Sequence, residues 1–185
     1  MLQFLVTMGT KLNFRYRNRQ IYKEIQTVET VLGMTNLRER LLVRAGNSGC
    51  RYISTGQSDE IIRINGDTMP YIAVWKDNIV LTNWKSHEIN CYDICGVHQW
   101  SFTNDNLRSP NGVATDKEGN VFVVGTYSHN ILILSKNYKE TNTYWFQDAE
   151  MRYPIAVDYD QSSDKLIVCN MKGTVKAFDV ATAVT

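Results

Sequence analysis

Arg108 to Ser135 reads RSPNGVATDKEGNVFVVGTYSHNILILS. Val113–Asp116, Val121–Thr126 and Asn130–Ser135 are rich in the branched and aromatic residues that suit a strand. Between them lie Lys117-Glu118-Gly119-Asn120 and Tyr127-Ser128-His129. Gly and Asn tolerate the backbone conformations of tight turns, so the stretch predicts three antiparallel strands and two turns.

The pattern recurs. Asn78 to Asp93 (NIVLTNWKSHEINCYD) lies on Asn120 to Ser135 without a gap at an offset of 42, placing Ser86 on Ser128 and His87 on His129. Lys165 to Asp179 fits the same frame with a turn shorter by one residue, and Arg40 to Ile53 and Gln3 to Arg17 fit more loosely. The three prolines, Pro70, Pro110 and Pro154, share one phase at spacings of 40 and 44, each at the start of a first strand. A missing backbone donor does least harm there. One unit earlier, Gly33 takes the phase of Gly112. Short strands recurring every ~40–45 residues are the signature of propeller blades.

The fold class is therefore all-β: a β-propeller of four-stranded blades, incomplete, with three full blades and two partial ones. A single domain over 1–185 divides into blades at approximately 1–28 (partial), 29–67, 68–107, 108–150 and 151–185 (partial). The first unit lacks its first strand and the last lacks its fourth, which predicts a piece of a larger ring. Thr27 to Arg40 has some helical spacing in Val28, Leu32 and Leu37, but the repeat phase predicts a strand there.

With 43% hydrophobic and 21% charged residues the chain can bury a core, and a net charge of +1 selects no partner by itself. The charge is uneven: residues 1–51 hold nine Lys and Arg against three Glu, hence +6, and the rest carries −5. A basic end suits either solvated strand edges or an acidic or nucleic-acid partner. Cys50, Cys91, Cys95 and Cys169 are scattered, with no second pair to complete a zinc site beside Cys91 and Cys95. They predict reduced thiols in a cytoplasmic protein. Leu2 to Met8 is apolar but too short and wrongly flanked for a signal peptide, so it reads as a strand. No run has the length of a membrane span, and no membrane partner is expected.

Pro110-Asn111-Gly112-Val113-Ala114-Thr115-Asp116, then Gly119-Asn120-Val121-Phe122-Val123, then Ser128-His129-Asn130-Ile131 resembles an NHL repeat. The chain is similar to the C-terminal propeller of invertebrate tripartite-motif (TRIM-NHL-like) proteins, mainly over residues 69–180. That resemblance implies a six-bladed ring with a ligand surface. Ubiquitin-ligase activity in that family belongs to a RING with zinc-binding B-boxes and a coiled coil. No such pattern stands here, so a ligase role would belong to a longer parent.

In a propeller, the turn between second and third strands and the linker into the next blade open on one face. The turns supply Trp84, Lys85, Tyr127, Met171 and Lys172, and the linkers supply Met69, Arg108, Ser109, Arg152 and Tyr153. Aromatic residues and Arg are what binding hot spots favour. The expected function is a non-catalytic interaction module for a protein or peptide. RNA binding by the same face, with Arg108, Arg152 and the basic N-terminal third, is one alternative.

A second alternative is a metal-dependent lactonase. Asn111 resembles the metal-ligating Asn of the regucalcin/gluconolactonase group, though Tyr71 and Ile155 stand at the equivalent positions. Ser86-His87 and Ser128-His129 do not read as nucleophile and base, because neighbours in a strand face opposite ways. His87 and His129 are expected to be structural turn residues bonding their own blade. His98 stands alone, and Asp116, Asp158 and Asp160 are expected to cap turns. No catalytic residue, metal ligand or cofactor is assigned.

Overall fold

Alternating apolar residues become five antiparallel sheets, each made of consecutive strands. The computed structural model describes the backbone of residues 3–6, 11–16, 20–26, 31–37, 40–45, 50–53, 60–62 and 64, and all of 71–180. Met1–Asp67 and Thr68–Thr185 form two units.

The first unit holds a three-stranded sheet, β1 (Gln3–Val6), β2 (Lys11–Tyr16) and β3 (Gln20–Gln26). It also holds a four-stranded sheet, β4 (Val31–Leu37), β5 (Arg40–Ala45), β6 (Cys50–Ile53) and β7 (Glu60–Ile62). The repeat phase is right at β4, where the helical spacing misleads. Leu41, Leu42, Val43, Cys50 and Ile62 are buried. Met69 and Pro70 lie outside the described residues.

The second unit holds two four-stranded blades and one three-stranded blade. The first is β8 (Ile72–Trp75), β9 (Asn78–Asn83), β10 (Glu88–Asp93) and β11 (His98–Thr103). Next come β12 (Pro110–Thr115), β13 (Val121–Gly125), β14 (Asn130–Leu134) and β15 (Thr141–Trp145). The last is β16 (Pro154–Asp160), β17 (Lys165–Asn170) and β18 (Val175–Asp179). Across both units, three full and two partial blades match the expectation from the repeat.

The middle blade of this unit explains why β13 and β14 are apolar at every position. Both of its faces are covered. Val121, Val123, Leu132 and Leu134 pack with Ala73, Val80 and Ile89 of the blade before. Phe122, Val124, Ile131 and Ile133 pack with Val157, Leu166 and Val168 of the blade after. Successive side chains alternate between two cores rather than between core and water. Each fully buried Phe or Leu contributes about 1.5–3 kcal/mol. The fourth strands β11 and β15 are largely exposed, as outer strands should be.

Three first strands, β4, β12 and β16, begin with an irregularity. The register shifts between Val31 and Gly33, between Pro110 and Val113, and between Pro154 and Ala156. Expectation started β12 at Val113; pairing in fact begins at Pro110, opposite Gly125, before the bulge. Gly112 sits inside that bulge. A Cβ there would lie 2.5 Å from Ala156 Cα and 2.6 Å from Val157 N. Glycine lets the first strands of neighbouring blades approach this closely.

The β12–β13 turn is held by Asp116, which is buried. Its Oδ1 accepts from the amides of Glu118, Gly119 and Asn120 at 2.8–2.9 Å, and its Oδ2 accepts from Asn120 Nδ2 at 2.7 Å. Gly119 closes that turn at φ +95°, with the Trp75 ring against its Cα. Asp160 caps the next equivalent turn by accepting from the amide and hydroxyl of Ser162 and the hydroxyl of Ser163. These bonds, the one from Ser163 foremost, hold its carboxyl down at about 2. Asp158 accepts from the adjacent Tyr159 amide.

Candidate binding face

Hydrogen bonds bring the β9–β10, β13–β14 and β17–β18 turns to the same end of the blades as the two linkers. Thr126 and Tyr127 amides donate to the Ser109 and Arg108 carbonyls, and the Met171 amide donates to the Tyr153 carbonyl. The side-chain amides of Asn130 and Asn170 fasten the linkers by donating to the carbonyls of Asn106 and of Glu150 and Arg152 respectively.

Two histidines join one blade to the next. His87 Nδ1 accepts from the Ser109 amide at 2.9 Å, and His129 Nδ1 accepts from the Tyr153 amide at 3.1 Å. Both were expected to bond their own blade; each instead reaches the linker that opens the following one. The reason is backbone conformation. His87, His129, Ser109 and Tyr153 all have φ between 52° and 59°, a left-handed turn that aims ring and amide at each other. Such a φ costs a non-glycine residue of order 1 kcal/mol and persists where surrounding bonds over-determine it. Four of the seven non-glycine residues with positive φ in the described chain are these. The neighbouring hydroxyls are committed elsewhere: Ser86 donates to Glu88 Oε2 and Ser128 to Asn130 Oδ1. The dipeptides therefore form no nucleophile–base pair.

The face candidates fall into two sets. Trp84, Lys85, Arg108, Tyr127, Arg152, Tyr153 and Lys172 are exposed. Ser109 is not: it is buried at 4% exposure, beneath the face, and its contribution is its backbone. The Tyr127 and Tyr153 rings stand edge to face at 6.3 Å, and Tyr153 meets the His129 ring at 4.6 Å. The Lys85 ammonium lies over the Trp84 ring at 5.6 Å. Trp145, which ends β15 opposite Asn130, joins this end of the blades and was missed. Its signal was its place, the last residue of an outer strand beside the linker.

The charges here are unevenly satisfied. Of the carboxylates at this end, Asp148 and Glu150 both hold Lys176, and Glu88 accepts from Ser86. Lys176 lowers the Asp148 pKa, and Asp148 in turn raises that of Lys176. Lys85, Arg108, Arg152 and Lys172 make no ion pair among the described residues. Of the nine basic side chains in residues 1–51, all but Arg44 lie outside the described residues.

Elsewhere, Asn111 turns its amide nitrogen inward, to the Ser109 carbonyl and Thr126 Oγ1. Among the described residues no three His, Cys, Asp or Glu gather as a metal site. His98 is not alone: its Nε2 lies 2.8 Å from Ser101 Oγ, which donates to Asn90 Oδ1 at 2.7 Å. Residues three apart on a regular strand face opposite ways. The register slips between Cys91 and Tyr92, leaving Gln99 unpaired and turning His98 and Ser101 to one side. Cys50 and Cys91 are buried, which pushes their thiols up to about 11 and about 12. Cys95 is exposed in the turn that follows β10. No helix among the described residues is long and apolar enough to cross a membrane.

Residues 97–132, from β11 into β14, match the family described as Beta-propeller repeat (SBBP). No curated protein matches the chain in sequence. Among solved structures, virginiamycin B lyase from Staphylococcus aureus with Quinupristin is 13% identical at a TM-score of 0.66, covering 92% of this chain and 63% of that one. A chain of a Nidogen/Laminin complex is 15% identical at 0.58, covering 98% of this chain and 90% of that one. Hsv2 of Kluyvelomyces marxianus is 12% identical at 0.65, covering 97% and 56%. The chain thus spans less than two thirds of the length of the lyase it resembles. At such identities these likenesses establish the fold alone. The chain is built of β-propeller blades, and residues 97–132 carry the repeat in sequence.

Proposed function

We propose that the turn-and-linker end of the second unit is a non-catalytic recognition face for a protein or peptide. One observation carries the reading. Of eight large apolar side chains exposed among the described residues, six stand at this end: Trp84, Tyr127, Trp145, Tyr153, Met171 and Val175. Exposed aromatics gathered on a bonded framework are what interfaces use and what a plain solvated rim lacks. The NHL-like character, and a substrate-recognition role in a longer TRIM-like ligase, belong to the same proposal. They are supported by the Pro-Asn-Gly bulge and the two turn histidines. A cytoplasmic setting is supported by four free cysteines.

Peptide display against the purified chain tests this. Selected binders should lose at least about tenfold in affinity, or 1.4 kcal/mol, on Tyr127→Ala or Trp84→Ala. The melting point should stay put, since both side chains are exposed. Binders indifferent to both substitutions would place recognition elsewhere.

A further inference from the structure

Resting on that reading, we infer that the joint between the last two blades takes an acidic peptide segment bearing large apolar side chains. The contacting side chains would be Tyr127, Tyr153 and Met171, with Arg108, Arg152 and Lys172 on the same turns and linkers.

The joint is held before any partner arrives. Tyr127 is tied to the Arg108 carbonyl at 3.2 Å, Met171 to the Tyr153 carbonyl at 3.0 Å, and Tyr153 to His129 at 3.1 Å. Four separate stretches of chain are thus bonded to one another, and little order remains to be imposed on binding. What they display is apolar. Tyr127 and Met171 are 64% and 63% exposed, and the two tyrosine rings meet at 86°. An edge-to-face corner with a flexible, exposed thioether on the turn bonded to Tyr153 suits a branched or aromatic side chain.

Charge chooses the partner's remaining chemistry. The two arginines precede the left-handed linker residues at the same phase, and neither has a carboxylate partner among the described residues. Lys176 draws Asp148 and Glu150 away from them. An incoming carboxylate would meet guanidinium groups whose charge is unspent. Nucleic acid fits less well. Its bases stack on flat faces, and perpendicular rings offer no parallel pair. Its phosphates also recur at every nucleotide, whereas Glu88 and Asp105 still stand at this end of the blades. A peptide can place acids only where the arginines are.

Fluorescence anisotropy on the full chain decides it, using three short labelled probes. One peptide alternates Glu with Leu and Trp, a second has Lys for each Glu, and the third is oligouridine. The acidic peptide should bind, and Arg152→Ala, Tyr127→Ala and Met171→Ala should each weaken it about tenfold or more. Equal or tighter binding of the Lys peptide, sensitive to Tyr127→Ala, overturns the acidic partner and leaves the recognition face standing. Preferred binding of oligouridine, sensitive to Arg152→Ala, does the same in favour of RNA. Acidic-peptide binding indifferent to all three substitutions overturns both this inference and the face. Failure of the acidic peptide to bind overturns the inference alone, provided displayed binders still depend on Tyr127.

Discussion

Two joints in the second unit are built alike and finished differently. At one, His87 takes the amide of Ser109; at the other, His129 takes the amide of Tyr153. All four residues share the left-handed conformation. Yet Ser109 is buried, whereas Tyr153 is 37% exposed and stands against two other rings. The repeat keeps the bond and varies what is displayed. Blade-to-blade attachment depends on the backbone amide, which every residue except proline has. The side chain beyond it is left to recognition. The last blade sharpens the contrast: the equivalent turn position is Gly173, left-handed at φ +87° with open space where a Cβ would stand.

The largest way to break the second joint is Gly112→Ala. The new methyl would press into the backbone of Ala156 and Val157, and about 3 kcal/mol of stability should be lost, read as a lower urea midpoint. An unchanged midpoint would mean that β12 and β16 part without cost.

The histidines compare the joints directly. His87→Ala removes one hydrogen bond and should cost about 1 kcal/mol. His129→Ala also removes a perpendicular ring contact and should cost about 2 kcal/mol. Equal losses would show that the Tyr153 ring adds nothing to its joint.

Tyr153→Gly asks how far strain and ring contact cancel. Relief of a positive φ is opposed by lost packing and by glycine's extra freedom, so stability should stay within about 1 kcal/mol. A larger loss, seen in thermal melting, would make Tyr153 a structural residue first.

The smallest effect concerns charge, away from both joints. The carboxyl of Asp160 titrates at about 2 when folded, well below its unfolded range. The stability it contributes is present above the unfolded range and fades as pH falls toward that value. Ser163→Ala should move the folded titration upward, as NMR of the Asp160 carboxyl would read. No movement would assign the shift to Ser162 alone.

Much of the fold was legible because propeller strands are short, apolar and punctuated by Gly, Asn and Asp. The phase of Pro110 and Pro154 located the first strands to within three residues. The turn histidines were recognised as structural from their recurrence. Their partners were not, because Ser109 and Tyr153 lie 22 and 24 residues further on, in another blade. His98 was missed for a related reason. A strand read at strict period two sets it opposite Ser101, and only the pairing with β10 reveals the unpaired Gln99.

The sequence by itself determined the blades: where strands begin, which turns need glycine, and how often the unit recurs. These follow from local backbone preference and from apolar side chains seeking cover on both sheet faces. Only the tertiary structure decided which polar groups meet. It buried Ser109, tied Asp148 and Glu150 to Lys176, and left Arg108 and Arg152 without ion pairs among the described residues. Hydrogen bonds and ion pairs depend on ångström distances between distant segments, and no residue's identity carries that information before the chain folds.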